Sequence, residues 1–106
     1  MDAALKALAE PRRREILRLV WSQERAATEI ADHFSEVTRS AISQHLSVLK
    51  EAGLVSERRD GTRRLYRAER EEMKKLRKFL DDYWTTGLER LRDVAEAAQR
   101  EKETPR

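Results

Sequence analysis

Cysteine is absent from this chain of 106 residues, which excludes disulfides and thiolate metal sites. Histidine occurs only at His33 and His45, never in a His-x-x-x-His spacing, so no metal is expected. Glycine is also scarce, with three residues that punctuate helices and turns and no Gly-rich loop able to cradle a phosphate. No His–carboxylate motif stands out either, and the chain is not expected to be an enzyme or to carry a cofactor. No apolar run reaches 18 residues, and the opening MDAALKALAEPRRR lacks the unbroken apolar stretch of a signal peptide. A soluble, cytoplasmic protein with no membrane partner is the expectation. Repeats and low-complexity linkers are missing as well.

What the chain has in quantity is charge: 41% of residues are charged and 39% hydrophobic. That length and balance predict one domain, 1–106, with a thin helical core that gains further burial by dimerising. The net charge of +3 is unevenly spread. Residues 1–36 carry −1, residues 37–70 carry +4, and residues 71–106 are neutral. The excess of cations therefore sits in one central stretch, and clustered cations point to a polyanionic partner.

Apolar spacing and capping residues divide the chain. Residues 2–9 read as a short helix, with Leu5 and Leu8 apolar. Pro11 opens a second helix, placing Ile16, Leu17, Val20 and Trp21 on one side. Thr28 is placed to cap EIADHF, with Ile30, Ala31 and Phe34 inward, and Thr38 to cap a helix ending near Ala52. Gly53 is its C-terminal stop. Residues 55–67 read as a hairpin with Asp60-Gly61 as turn chemistry, and a long helical pattern runs from Arg70 to about Arg100. The predicted fold is mostly α with a small β-hairpin wing, a winged helix-turn-helix of about five helices in the order α-α-α-α-β-β-α. Residues 28–54 would form the helix-turn-helix and 55–67 the wing. Residues 1–20 and 70–100 would supply dimerisation helices, and 101–106 a frayed tail.

A helical wheel separates the segment after Thr38 into two faces. Arg39, Ser40, Ser43, Gln44, Ser47, Lys50 and Glu51 fall within roughly 0° to 140°, with Arg39 at the origin. Ala41, Ile42, His45, Leu46, Val48, Leu49 and Ala52 fall within roughly 180° to 340°, which assigns His45 a packing or hydrogen-bonding role. An ordinary solvated face would more commonly carry Glu and Lys, since serine costs helix propensity. Arg suits guanine, Gln suits adenine, and Ser suits bases or phosphates. Thr38, Arg39, Ser40, Ser43, Gln44, Ser47 and Lys50 are therefore the candidate DNA-reading residues.

The following hairpin holds Arg58, Arg59, Arg63, Arg64 and Arg67, whose mutual repulsion calls for a phosphate backbone to compensate it. Val55 and Leu65 would anchor its inner side, with Tyr66 alongside. Tyr66 is the only aromatic in this basic zone, which disfavours RNA as the ligand. The last helix carries Leu76, Phe79, Leu80, Tyr83, Trp84, Leu88 and Leu91 at helical spacing, with Val94 continuing the row. Packed on Leu5 and Leu8 of a partner, these residues would form an isologous homodimer interface. Such a dimer holds two recognition helices one DNA turn, roughly 34 Å, apart. Gly87 inside this helix marks either a close helix crossing or a bend.

Four motifs, LKALAEPRRREIL, TEIADHF, TRSAISQHLSVLKEAGLV and ERRDGTRRLYR, together resemble the ArsR-type winged-helix repressors over nearly the whole chain. The resemblance implies a homodimer that binds double-stranded operator DNA and commonly represses transcription. It also implies Arg39, Ser40, Ser43 and Gln44 as the base-edge residues. Many relatives sense metals through Cys-x-Cys before the turn or through His and Asp pairs on the last helix. Here the first region reads TEIADHF, and the last helix offers Asp81 and Asp82 without a histidine. Glu10-Pro11-Arg12-Arg13 stands where such proteins often show Asp-Pro-Thr-Arg, and the turn SEVTRS is one residue longer than in the metal sensors. The chain is thus similar to the metal-independent, autorepressor-like branch. The competing expectation is a winged-helix protein-interaction module that does not bind DNA.

Overall fold

A computed structural model describes residues 1–103. Its elements run α1 (Asp2–Leu8), α2 (Pro11–Leu19), β1 (Arg25–Ala26), α3 (Ala27–His33), α4 (Arg39–Glu51), β2 (Val55–Asp60), β3 (Arg63–Ala68) and α5 (Arg70–Glu103). The chain divides into two units, residues 1–74 and the remainder of α5 from Lys75 onward.

In the first unit, helix ends follow local chemistry. Pro11 occupies the first turn of α2, and the Glu10 carboxylate accepts the Arg12 N–H at 3.3 Å. Thr38 Oγ1 accepts the Ala41 N–H at 3.1 Å and starts α4. Gly53, with φ of 78°, ends α4 in a Schellman arrangement. Its N–H donates to Lys50 O, and the Leu54 N–H to Leu49 O, both at 3.0 Å. Ile16, Val20, Ile30, Ile42, Leu46, Leu49 and Leu54 are fully buried and form the centre of the core. Burying a side chain of this size is worth roughly 1.5–3 kcal/mol. Helix α4 packs against α1, α2, α3 and β2, so its inner face is fixed on every side.

Several expectations change. Arg25 and Ala26, unassigned in sequence, pair with Tyr66 and Leu65, making a three-stranded antiparallel sheet in the order β1-β3-β2. Two residues carry too little periodicity to be seen as a strand, and only β3 defines them. Ala26, not Thr28, is the residue before α3, and its N–H donates to Glu29 Oε1 at 3.3 Å. Thr28 lies inside the helix, because β1 pairing sets where the helix begins. The hairpin turn is Gly61-Thr62 rather than Asp60-Gly61, since Asp60 pairs with Arg63 across the ladder. Gly61 takes φ of 63°, and among the described residues no non-glycine residue has positive φ, which fits a glycine-first hairpin turn rather than one needing two left-handed residues. Trp21 and Val48, assigned to apolar sides, are 40% and 38% exposed. Ala4 and Ala7 are the buried residues of α1, and Leu5 and Leu8, expected to meet a partner copy, are half-buried.

In the second unit α5 continues unbroken to Glu103, so residues 101–103 of the expected frayed tail are helical. The rest of that tail, 104–106, lies outside the described residues. Leu76, expected at the dimer interface, is buried. Phe79, Leu80, Tyr83, Trp84, Leu88, Leu91 and Val94 remain exposed along the helix. The helix passes through Gly87, where an added Cβ would meet nothing within 4 Å.

Candidate nucleic-acid interface

The face chosen by the wheel is positioned by its own helix start. Thr38 caps α4, and Arg39 and Ser40 follow in the first turn with exposed side chains. Ser43 lies one turn on and is half-buried, while Gln44, Ser47 and Lys50 are exposed. Arg39, Ser40 and Ser43 line an open cleft of about 370 Å³ together with Arg64 of β3 and Thr28 of α3. Helix start and wing therefore meet at one hollow whose lining combines three hydroxyls and two guanidinium groups with Ala27, Ala31, Ile42 and Leu46. Gln44 and Ser47 face a second shallow hollow, bordered by Arg13 and His45.

The wing arginines separate into two kinds. Arg58 is held by Glu24, its Nε donating to Oε2 at 3.0 Å and its Nη2 to the other oxygen. Arg63 Nη2 donates to Glu29 Oε1 at 3.0 Å. Arg59, Arg64 and Arg67 have no ion pair or side-chain hydrogen bond among the described residues. Arg59 and Arg64 sit directly opposite each other across the β2–β3 ladder. Like charges at opposed positions repel, so this pair, with the neighbouring Glu57 carboxylate acting on Arg64, concentrates positive charge on the wing. Arg58 and Arg67 border a separate hollow with Glu24 and Arg70, away from the α4 cleft's lining.

Two of the α4 candidates are also already engaged. Arg39 Nη2 donates to Asp32 Oδ1 of α3 at 2.9 Å. Lys50 Nζ donates to Glu57 Oε2 at 3.2 Å, and the Tyr66 hydroxyl donates to the same oxygen at 3.1 Å. Burial raises the Glu57 carboxyl, but the bonds from Lys50 and Tyr66 outweigh it and leave it below its ordinary value. Hydrogen bonding from Arg58 likewise lowers Glu24. Sequence reading missed all four acidic partners. Glu24 and Arg58, like Glu29 and Arg63, stand 34 residues apart, and no local pattern links them.

Arg13 was another omission. Its Nε donates to Ala7 O at 2.7 Å at the end of α1, and its Nη1 lies 3.3 Å from His45 Nδ1. A guanidinium can only donate, so His45 Nδ1 accepts and the ring proton belongs on Nε2. Burial and the Arg13 charge both hold the imidazole below its usual range. His33 stands apart, with its Nε2 3.7 Å from Glu15 Oε1 and its ring edge-on to Phe34. Among the described residues no three His, Asp or Glu side chains come together as a metal-holding group.

A two-helix turn with a polar second helix, flanked by an arginine-bearing hairpin, defines a winged helix-turn-helix DNA-binding domain. Comparison with known proteins agrees. Residues 10–57 match the bacterial regulatory protein, arsR family. The chain is 42% identical over 87 residues to the HTH-type transcriptional regulator Rv2034 of Mycobacterium tuberculosis, spanning 82% of this chain and 80% of that protein. It is 39% identical over 61 residues to the transcriptional repressor SdpR of Bacillus subtilis, spanning 58% of this chain and 67% of that one. The solution structure of the homodimeric winged helix-turn-helix DNA-binding domain Mb0332 from Mycobacterium bovis superposes with a TM-score of 0.64 at 38% identity. That match covers 76% of this chain and 73% of the other. The protein belongs to the ArsR family and is a transcriptional regulator with a winged helix-turn-helix DNA-binding domain.

Proposed function

We propose that the protein is a homodimeric, cytoplasmic repressor that binds double-stranded operator DNA sequence-specifically and does so without a bound metal. The observation that carries this reading is the cleft shared by Arg39, Ser40, Ser43 and Arg64. It offers base-reading and phosphate-holding groups in one hollow at the N-terminal end of the recognition helix. In this reading residues 28–54 read the groove, and 55–67 hold the backbone through Arg59, Arg64 and Arg67. Segments 1–20 and 70–100 pair the two copies. Support for pairing comes from the exposed apolar row on α5 and from the homodimeric state of the M. bovis domain. Repression is supported by the likeness to SdpR. Metal independence is supported by the missing thiols and by the engagement of the two histidines with different partners, Arg13 and Glu15.

The test is selection of duplexes from a random library on purified protein, followed by titration of the winners with chelator and with zinc. Arg39→Ala is expected to cost about 1–3 kcal/mol and to relax preference at one base-pair position. Arg64→Ala should weaken all duplexes alike and make the salt slope shallower by about one. A protein that selects no sequence would refute sequence-specific binding, and zinc-dependent release would refute metal independence.

A further inference from the structure

The cations on the proposed DNA face are not all presented to solvent as free charge. Arg39, Lys50, Arg58 and Arg63 are each bonded to a carboxylate, from Asp32, Glu57, Glu24 and Glu29 respectively. These acids lie on α3, on β2 and in the segment before β1, so separate elements contribute counter-charges to the recognition helix and the wing. Asp32 is the most solvent-open of the four, with 69% side-chain exposure, and Glu57 the least, at 16%. Among the described residues Arg59, Arg64 and Arg67 are bonded to no carboxylate, although Arg64 acts on Glu57 and Arg67 on Glu24 through space.

Non-specific binding to a duplex depends almost entirely on how many phosphates the protein neutralises. A cation whose charge is already met by a carboxylate contributes little to that term. To use it, DNA must displace the carboxylate or accept its negative charge beside the backbone. The unpaired arginines carry no such cost. A base edge in register can repay the exchange through a bidentate bond, whereas a random stretch of backbone cannot.

Resting on the proposed function, we infer that Glu24, Glu29, Asp32 and Glu57 are specificity-determining residues. They restrain random-sequence DNA binding by occupying four of the cations that the recognition helix and wing carry. Asp32 and Glu29 are the testable pair, since both are exposed and neither holds the hairpin together as Glu57 does through Tyr66. The amide of a Glu29→Gln variant retains an oxygen able to accept the Ala26 N–H, so the start of α3 is kept.

The experiment compares wild type with the Glu29→Gln/Asp32→Asn double variant by fluorescence anisotropy across a salt series. The probes are a labelled random-sequence duplex and a duplex selected on the wild type. Glu71→Gln/Asp81→Asn serves as control for net charge, because it removes the same two negative charges and its partners Lys74 and Arg77 lie on α5, outside the proposed face. The double variant is expected to bind random duplex on the order of 3- to 10-fold more tightly, the range that exposed ion pairs support. Its log–log salt slope should steepen by about one to two. The selected-to-random affinity ratio should fall, and the control should leave both readings unchanged. Unchanged random-duplex affinity and slope in a variant that melts like wild type would overturn the inference while leaving the proposed function standing. So would weaker selected-duplex binding alone, since the carboxylates would then only position the arginines. A wild type that binds neither duplex would overturn the proposed function and this inference with it.

Discussion

Leu91→Ala gives the sharpest test of what the exposed row on α5 does. Leu91 is 64% exposed in the single chain, so in a monomer it contributes little to the core. Complete burial of a leucine side chain is worth roughly 1.5–3 kcal/mol, and about two thirds of that remains to be gained, some 1–1.5 kcal/mol after allowing for what alanine retains. An isologous interface uses the position twice, once from each copy. The loss on substitution is then about 2–3 kcal/mol per dimer, which raises the dissociation constant roughly 30- to 150-fold. Sedimentation equilibrium over a concentration series measures this directly. Urea unfolding at concentrations where the chain is monomeric should change by no more than about 0.5 kcal/mol, as for other exposed substitutions. Self-association equal to wild type would refute the assignment of this row to a partner copy. A large loss of monomer stability would show instead that Leu91 is covered by its own chain.

Further outcomes are expected elsewhere. Thr38→Ala removes the acceptor of the Ala41 N–H and should cost about 1 kcal/mol in urea unfolding; no loss would mean the cap contributes nothing to α4. Gly87→Ala should stabilise α5 by about 0.8–1 kcal/mol, because its Cβ meets nothing in the same chain. Weaker self-association in that variant would assign the glycine to a close helix crossing, and stronger self-association would exclude one. His45 is held below the ordinary imidazole value, first by burial and then by Arg13. As pH falls through about 6.5 the unfolded chain takes up the proton before the folded one does, so stability present above that value is lost below it. Thermal melts between neutral and mildly acid pH should show this slope, and His45→Asn should flatten it. Glu24, Glu36 and Glu57, all depressed, add their own loss only below the ordinary carboxylate value of 4.5.

The helices were legible in the sequence because their signals are local. Thr38 and Gly53 mark the ends of α4 through bonds spanning three to five residues, and the α4 wheel needs only the helical period. Val48 shows the limit of that reasoning: it sits at the boundary of the apolar arc and is exposed. Strand β1 is invisible in sequence because two residues have no period, and Thr28 resembles a cap there for the same reason, since pairing with β3 fixes where α3 starts. The arginine-rich wing was equally plain, but not the division of its arginines into held and free, which depends on acids contributed by distant segments.

What the sequence determined alone is therefore the inventory and the faces. It set an absence of thiols, a Ser/Gln/Arg face on one helix, five arginines in one hairpin and an apolar row on the last helix. The tertiary structure decided which of those groups meet. It brought Arg64 to the same cleft as Arg39 and Ser43, and set Arg13 against His45. It buried Leu76 and gave four cations of the candidate interface a carboxylate partner. The physical reason is range. Periodicity and capping act over one or two turns of chain, whereas electrostatic pairing acts through space between segments that only the fold brings together.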